Sequence, residues 1–160
     1  MQFTQSMSYP GTVDEVVAMY LTPDYLERRF GRFVVEGSTT VSVEGERASY
    51  AGTVRPELIP AAATRFVKSD LRLTFTEEWT LNEAEATSRT SVTVDGAPVS
   101  VEATSTLTPS DAGSAREVSG NLSVRVPLLG GRIEKEAVAR VGRLTENEQA
   151  SAAQWLEEHR

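Results

Sequence analysis

The stretch VSGNLSVRVPLLGGRIE, residues 118–134, decides the fold, because its hydrophobic period changes halfway along. Val118, Gly120, Leu122, Val124 and Val126 occupy alternate positions, the period of a strand with one buried face. Pro127-Leu128-Leu129-Gly130-Gly131 then interrupts the chain. Beyond it, Ile133, Ala137, Val141, Leu144, Ala152 and Trp155 fall on one helical stripe. That stripe predicts one long amphipathic helix from Gly131 to about Glu158. Gly130-Gly131 opens it without a following Lys-Ser/Thr, so it is a tight corner and not a phosphate loop.

Upstream, period two dominates. Leu71, Leu73, Phe75, Trp79 and Leu81 share one face, with Arg72, Thr74, Thr76, Glu78 and Thr80 on the other. Phe33, Val35, Val41 and Val43 form another in-phase set, and Ala48, Tyr50, Gly52 and Val54 the next. Thr90, Val92 and Val94 lead into the hairpin turn Asp95-Gly96, and Val99, Val101, Ala103, Ser105 and Leu107 return from it. These sets, with the strand ending at Val126, describe an antiparallel sheet of about six strands with one apolar face. Before them, Phe3, Met7 and Tyr9 mark a first strand, broken by Pro10-Gly11. Thr12 and Glu15 have the spacing of a capping box and open a short helix. Thr22-Pro23 opens a second, running through Tyr25, Leu26, Arg29 and Phe30 to Gly31.

An apolar sheet face needs a cover, and the terminal helix is the only large one available. The sheet must therefore curl around it, an α+β arrangement. This layout resembles the START-like (SRPBCC) superfamily with the helix-grip fold, which includes pollen-allergen-like proteins, lipid-transfer domains and polyketide cyclases. The resemblance is carried by Val126 to Glu134, by the Glu77-Glu78-Trp79 strand and by the hairpin Asp95-Gly96-Ala97-Pro98-Val99. Together these are similar to an actinobacterial START-like family of unassigned function. The resemblance spans residues 1–160 as one domain. It implies a curved antiparallel sheet around a long C-terminal helix, two short helices after the first strand, and a cavity between helix and sheet. The fold itself hosts many functions, so the site has to decide.

Composition narrows the options. A chain of 160 residues is about one domain. Its 16 basic residues against 23 acidic ones give a net charge of −7, which repels phosphate backbones, so no nucleic-acid partner is expected. The chain has no cysteine, and its one histidine is His159, which excludes thiolate sites, cysteine nucleophiles, histidine triads and multi-histidine metal sites. No metal and no cofactor are expected. No apolar run approaches the roughly 20 residues of a membrane span, so membrane insertion is not expected. The first residues lack a basic stretch followed by an apolar core, so the cytoplasm is the expected compartment.

The ligand-facing candidates are Tyr50, Phe75, Glu77, Trp79, Ala103 and Leu122 from the sheet, and Ala137, Arg140, Val141 and Leu144 from the helix. Small residues such as Ala48, Gly52, Gly120 and Ala152 leave volume between the facing surfaces. The competing reading is that the aromatic residues fill it. Glu77, Arg140 and Glu148 stand in or near apolar phase, where a charge needs a partner, water or a ligand. The functional reading makes Glu77, Arg140 and Trp79 the border of an internal pocket with a polar anchor. The alternatives are a bulge that turns Glu77 outward and an Arg140 that snorkels along the helix edge. Glu77 and Glu78 are neighbours in a strand and point to opposite faces, so they cannot act together as acid and base, and no catalytic residue is assigned. The expected function is binding of a small hydrophobic or amphipathic molecule, of the lipid, isoprenoid or polyketide kind. Two alternatives stay open: a cyclase- or aromatase-like enzyme using pocket carboxylates, and a protein-interaction module with a filled core, its protein partner unknown.

Overall fold

The computed structural model describes residues 1–61, 63–67 and 69–160. Strand β1 (Gln2–Tyr9) leads into helices α1 (Val13–Tyr20) and α2 (Pro23–Phe30). Six strands follow: β2 (Thr40–Glu44), β3 (Arg47–Thr53), β4 (Arg72–Asn82), β5 (Glu85–Asp95), β6 (Val99–Ser110) and β7 (Gly113–Val124). Helix α3 (Gly130–Glu158) ends the chain as one uninterrupted element of 29 residues. All seven strands form one antiparallel sheet in the order β1-β7-β6-β5-β4-β3-β2. This is the helix-grip fold.

Local chemistry sets the boundaries. Glu15 N donates to Thr12 Oγ1 at 3.2 Å and Thr12 N donates to Glu15 Oε1 at 2.9 Å, closing the capping box of α1. Pro23 takes the first position of α2, where a missing N–H costs nothing. The corner into α3 needs Gly130, because a Cβ there would lie 2.3 Å from the Val124 carbonyl oxygen. At Gly131 the same atom would meet nothing within 4 Å. One expected strand fails. Phe33 lies in a short 3-10 turn (Gly31–Phe33) and Val35 is exposed, while Val34 is buried and bridges to Val54. Gly37, with φ of +82°, then turns the chain before β2 begins at Thr40.

Because the register is continuous, residues line up in rows across the concave face. One row runs Phe3, Gly120, Ala103, Thr90, Glu77, Ala48, and the next runs Leu122, Val101, Val92, Phe75, Tyr50. Packing on this face is uneven. One core joins α1, α2 and the end of α3 through Tyr9, Val16, Tyr20, Tyr25, Trp79, Ala152 and Trp155. A second gathers Leu26, Val34, Ala48, Tyr50 and Phe75. Between Ile133 and Ala152, by contrast, no residue of α3 is fully buried. Val92, Val101 and Leu122 on the concave face are likewise only half-buried.

Candidate functional site

The concave face carries a buried ionic cluster built across four strands. Arg116 on β7 stands two rows from Glu77, and its guanidinium crosses the intervening row, where Ser105 and Ser88 are small enough to let it pass. It donates from Nη2 to Glu77 Oε2 at 2.8 Å and to Ser88 Oγ at 3.1 Å, and from Nε to Ser105 Oγ at 2.9 Å. The carboxylate of Glu77 also accepts from Thr90 Oγ1 at 2.8 Å and from Trp79 Nε1 at 3.2 Å. The guanidinium lies against both rings of the stacked pair Tyr20 and Trp79, 4.9 and 4.8 Å from their centroids. Side-chain exposure is 3% for Arg116 and 1% for Glu77, so both charges have been taken out of water.

Burial alone would push the Glu77 carboxyl up, but Arg116 and then Arg29 outweigh it and hold it below the usual carboxylate range. Arg116 opposes the same desolvation with Glu77 beside it, and its affinity for its proton rises. Both groups are charged at neutral pH. A carboxylate that accepts three hydrogen bonds and has two guanidinium groups beside it is poorly placed to exchange protons with a substrate.

Arg29, on α2, connects this cluster to the surface. Its Nη1 lies 3.7 Å from Glu77 Oε1, and its Nε lies 2.5 Å from Glu148 Oε1 on α3. The guanidinium covers the rings of Tyr20, Phe30 and Phe75 at 4.9–5.0 Å. The contact with Glu148 is an ion pair without hydrogen-bond geometry. Arg29 Nη1, Glu148 Oε1 and the Tyr25 hydroxyl are all buried without a hydrogen-bond partner among the described residues. These three side chains line a slot of about 230 Å³ between α2 and α3, walled by Phe30, Phe33 and Leu144. A larger depression of about 680 Å³ lies across the strands and is lined mostly by outward polar residues such as Thr76, Glu78 and Arg89. It touches none of the buried charges, so the slot is the better candidate.

The residues expected to face a ligand divide into three groups. Ala103, Leu122, Ala137 and Val141 are half-buried on the facing surfaces of sheet and helix, and Leu144 lines the slot. Tyr50, Phe75 and Trp79 are buried in the cores: Tyr50 and Phe75 pack against Phe30, and Trp79 stacks on Tyr20. The expected border of Glu77, Trp79 and Arg140 is corrected. Glu77 is turned inward with no bulge at its register, and its partners are Arg116 and Arg29. Arg140 is exposed on α3, where its charge stays in water. Sequence reasoning misses Arg116 and Arg29, although Arg116 shares the inward phase of Val118 and Leu122, the signal that marks a partner for Glu77.

Residues 4–156 match the family described as a protein of unknown function (DUF2505). The chain belongs to the DUF2505 family. A relative in Mycobacterium tuberculosis, the uncharacterized protein Rv0481c, is 27% identical over 96% of this chain and 95% of its own length. Among solved structures, TTHA0849 of Thermus thermophilus is similar at a TM-score of 0.64 and 15% identity, covering 99% of each chain. Norcoclaurine synthase of Thalictrum flavum is similar at a TM-score of 0.60 and 11% identity, covering 99% of this chain and 87% of its own. At these identities the likeness shows the helix-grip fold of this DUF2505 protein and nothing about its chemistry. No helix among the described residues is long and apolar enough to cross a membrane.

Proposed function

We propose that this protein binds a small hydrophobic or amphipathic molecule between α3 and the concave face of the sheet, as a START-like binding protein. One observation carries this reading. The middle of α3 and the row of Val92, Val101 and Leu122 offer apolar surfaces, yet none of these residues is fully buried. Such surfaces gain about 25 cal/mol for each Å² of apolar area that a ligand removes from water. The fold likeness adds support, since a norcoclaurine synthase of this fold has been captured with dopamine and hydroxybenzaldehyde. Binding without chemistry is favoured over a cyclase-like reaction because Glu77, the inward carboxylate of the sheet, is committed to Arg116, Thr90, Trp79 and Arg29. A thermal-shift screen with fatty acids, sterols, isoprenoids and aromatic polyketides tests the reading. A ligand at a hundred times its Kd adds about 2.7 kcal/mol of stability. A screen in which no member moves the Tm, with native mass spectrometry showing no copurified hydrophobe, would overturn it.

A further inference from the structure

The slot between α2 and α3 has features that a purely apolar pocket does not need. In a chain of net charge −7, three arginines line it, Arg28, Arg29 and Arg32, against one carboxylate, Glu148. Arg28 is committed to Glu158 at 3.0 Å. Arg32 makes no ion pair among the described residues and lies along the Phe33 ring. Arg29 keeps Nη1 without a hydrogen bond, and the Tyr25 hydroxyl is fully buried without one. A buried hydroxyl left in that state is destabilising, so a folded protein keeps it at a cost unless something else uses it. The slot is thus lined by Arg29, whose Nη1 faces Glu77 at 3.7 Å without a hydrogen bond, by Tyr25, whose buried hydroxyl has no partner among the described residues, and by Arg32, which has no ion pair there, a set that matches a multidentate oxyanion.

Size identifies which part of a ligand enters. At about 230 Å³ the slot is smaller than the roughly 300 Å³ at which pockets for whole drug-sized ligands begin. It has room for a head group, with the tail lying elsewhere. Building on the binding reading above, we infer that the slot receives the carboxylate head of an amphipathic acid. Arg29, Arg32 and the Tyr25 hydroxyl are its donors, and its apolar tail runs along the half-buried face of α3. The head group shares Arg29 with Glu148, whose ion pair lacks hydrogen-bond geometry.

The test uses decanoate and decanol, which share a tail and differ in the charge of the head. Wild-type protein is expected to bind decanoate at least tenfold more tightly than decanol by calorimetry. Arg32→Gln and Tyr25→Phe are each expected to shrink that preference at least threefold while leaving decanol unchanged. Tyr25→Phe has a second readout: without ligand its Tm should rise by about 2–4 °C, because the unpaired hydroxyl is gone. Equal affinity for the two probes would overturn the anion site and leave the binding reading standing. A preference that survives intact in both variants would place the anion elsewhere and overturn this assignment. Failure of both probes to bind at all would overturn both this assignment and the binding reading.

Discussion

Arg116 donates to Glu77 across two rows of the sheet, 2.8 Å from nitrogen to oxygen, with two serines beneath it and the stacked rings of Tyr20 and Trp79 against it. Breaking such a pair from one side leaves a bare charge in the interior, which costs about 3–5 kcal/mol. Glu77→Gln and Arg116→Met should each lower stability by that amount in urea denaturation. Replacing both with apolar residues should recover most of the loss, since buried ion pairs often contribute little net stability compared with well-packed apolar groups. A double variant as unstable as the two single losses added together would mean that the two side chains are not coupled, and would overturn the pair.

Stability should hold a plateau with pH, bounded by groups in or beside this cluster. Glu77 is depressed in the folded protein, so its contribution is complete above the unfolded carboxyl pKa of about 4.3 and lost as pH falls through its folded value. Tyr9, Tyr20 and Tyr25 are raised, chiefly by burial, so their contribution is complete below about 10 and lost as pH climbs towards their folded values. Urea midpoints measured from pH 3 to 11 should therefore fall at both ends. In Glu77→Gln the acid-side fall should shrink relative to wild type. An unchanged acid limb in that variant would remove Glu77 from the account.

Much of this arrangement can be read from the sequence, and the limits have physical causes. Alternation locates each sheet face, and the switch of period after Val126 locates the long helix, because both signals come from which residues meet water. Glu77 stands out as a charge in apolar phase. What alternation cannot supply is the diagonal reach of a long side chain. Arg116 and Glu77 are 39 positions apart in the chain and two rows apart in space, and only the strand order joins them. Arg140 is misplaced by periodicity for a related reason: it is one residue from Val141, and that single step of about 100° around the helix carries it off the stripe into water.

The two adjacent glycines at the start of α3 should respond in opposite directions to alanine. Gly130→Ala places a Cβ against the Val124 carbonyl and forces the corner to shift, a loss of about 1–3 kcal/mol. Gly131→Ala meets nothing and gains helix propensity, up to about 1 kcal/mol. Chemical denaturation of the two variants checks the corner directly. Equal effects would mean that the chain enters α3 differently.

Filling the space beneath α3 separates an open interior from a packed one. Ala137 sits on the stripe one turn after the buried Ile133 and is itself only half-buried. If the surfaces of α3 and the sheet stand apart there, the ring of Ala137→Phe enters the gap, and burying its apolar area holds stability level or raises it. In a packed core the same ring is overpacking and costs about 1–3 kcal/mol. The binding reading expects the first result, together with loss of the Tm shift given by any ligand that stabilises the wild type. Val141→Phe, one turn further on, should behave the same way, so a local clash at one position cannot imitate the result. Both variants losing stability, with ligand shifts preserved, would show that the ligand sits elsewhere and that α3 closes on the sheet without it.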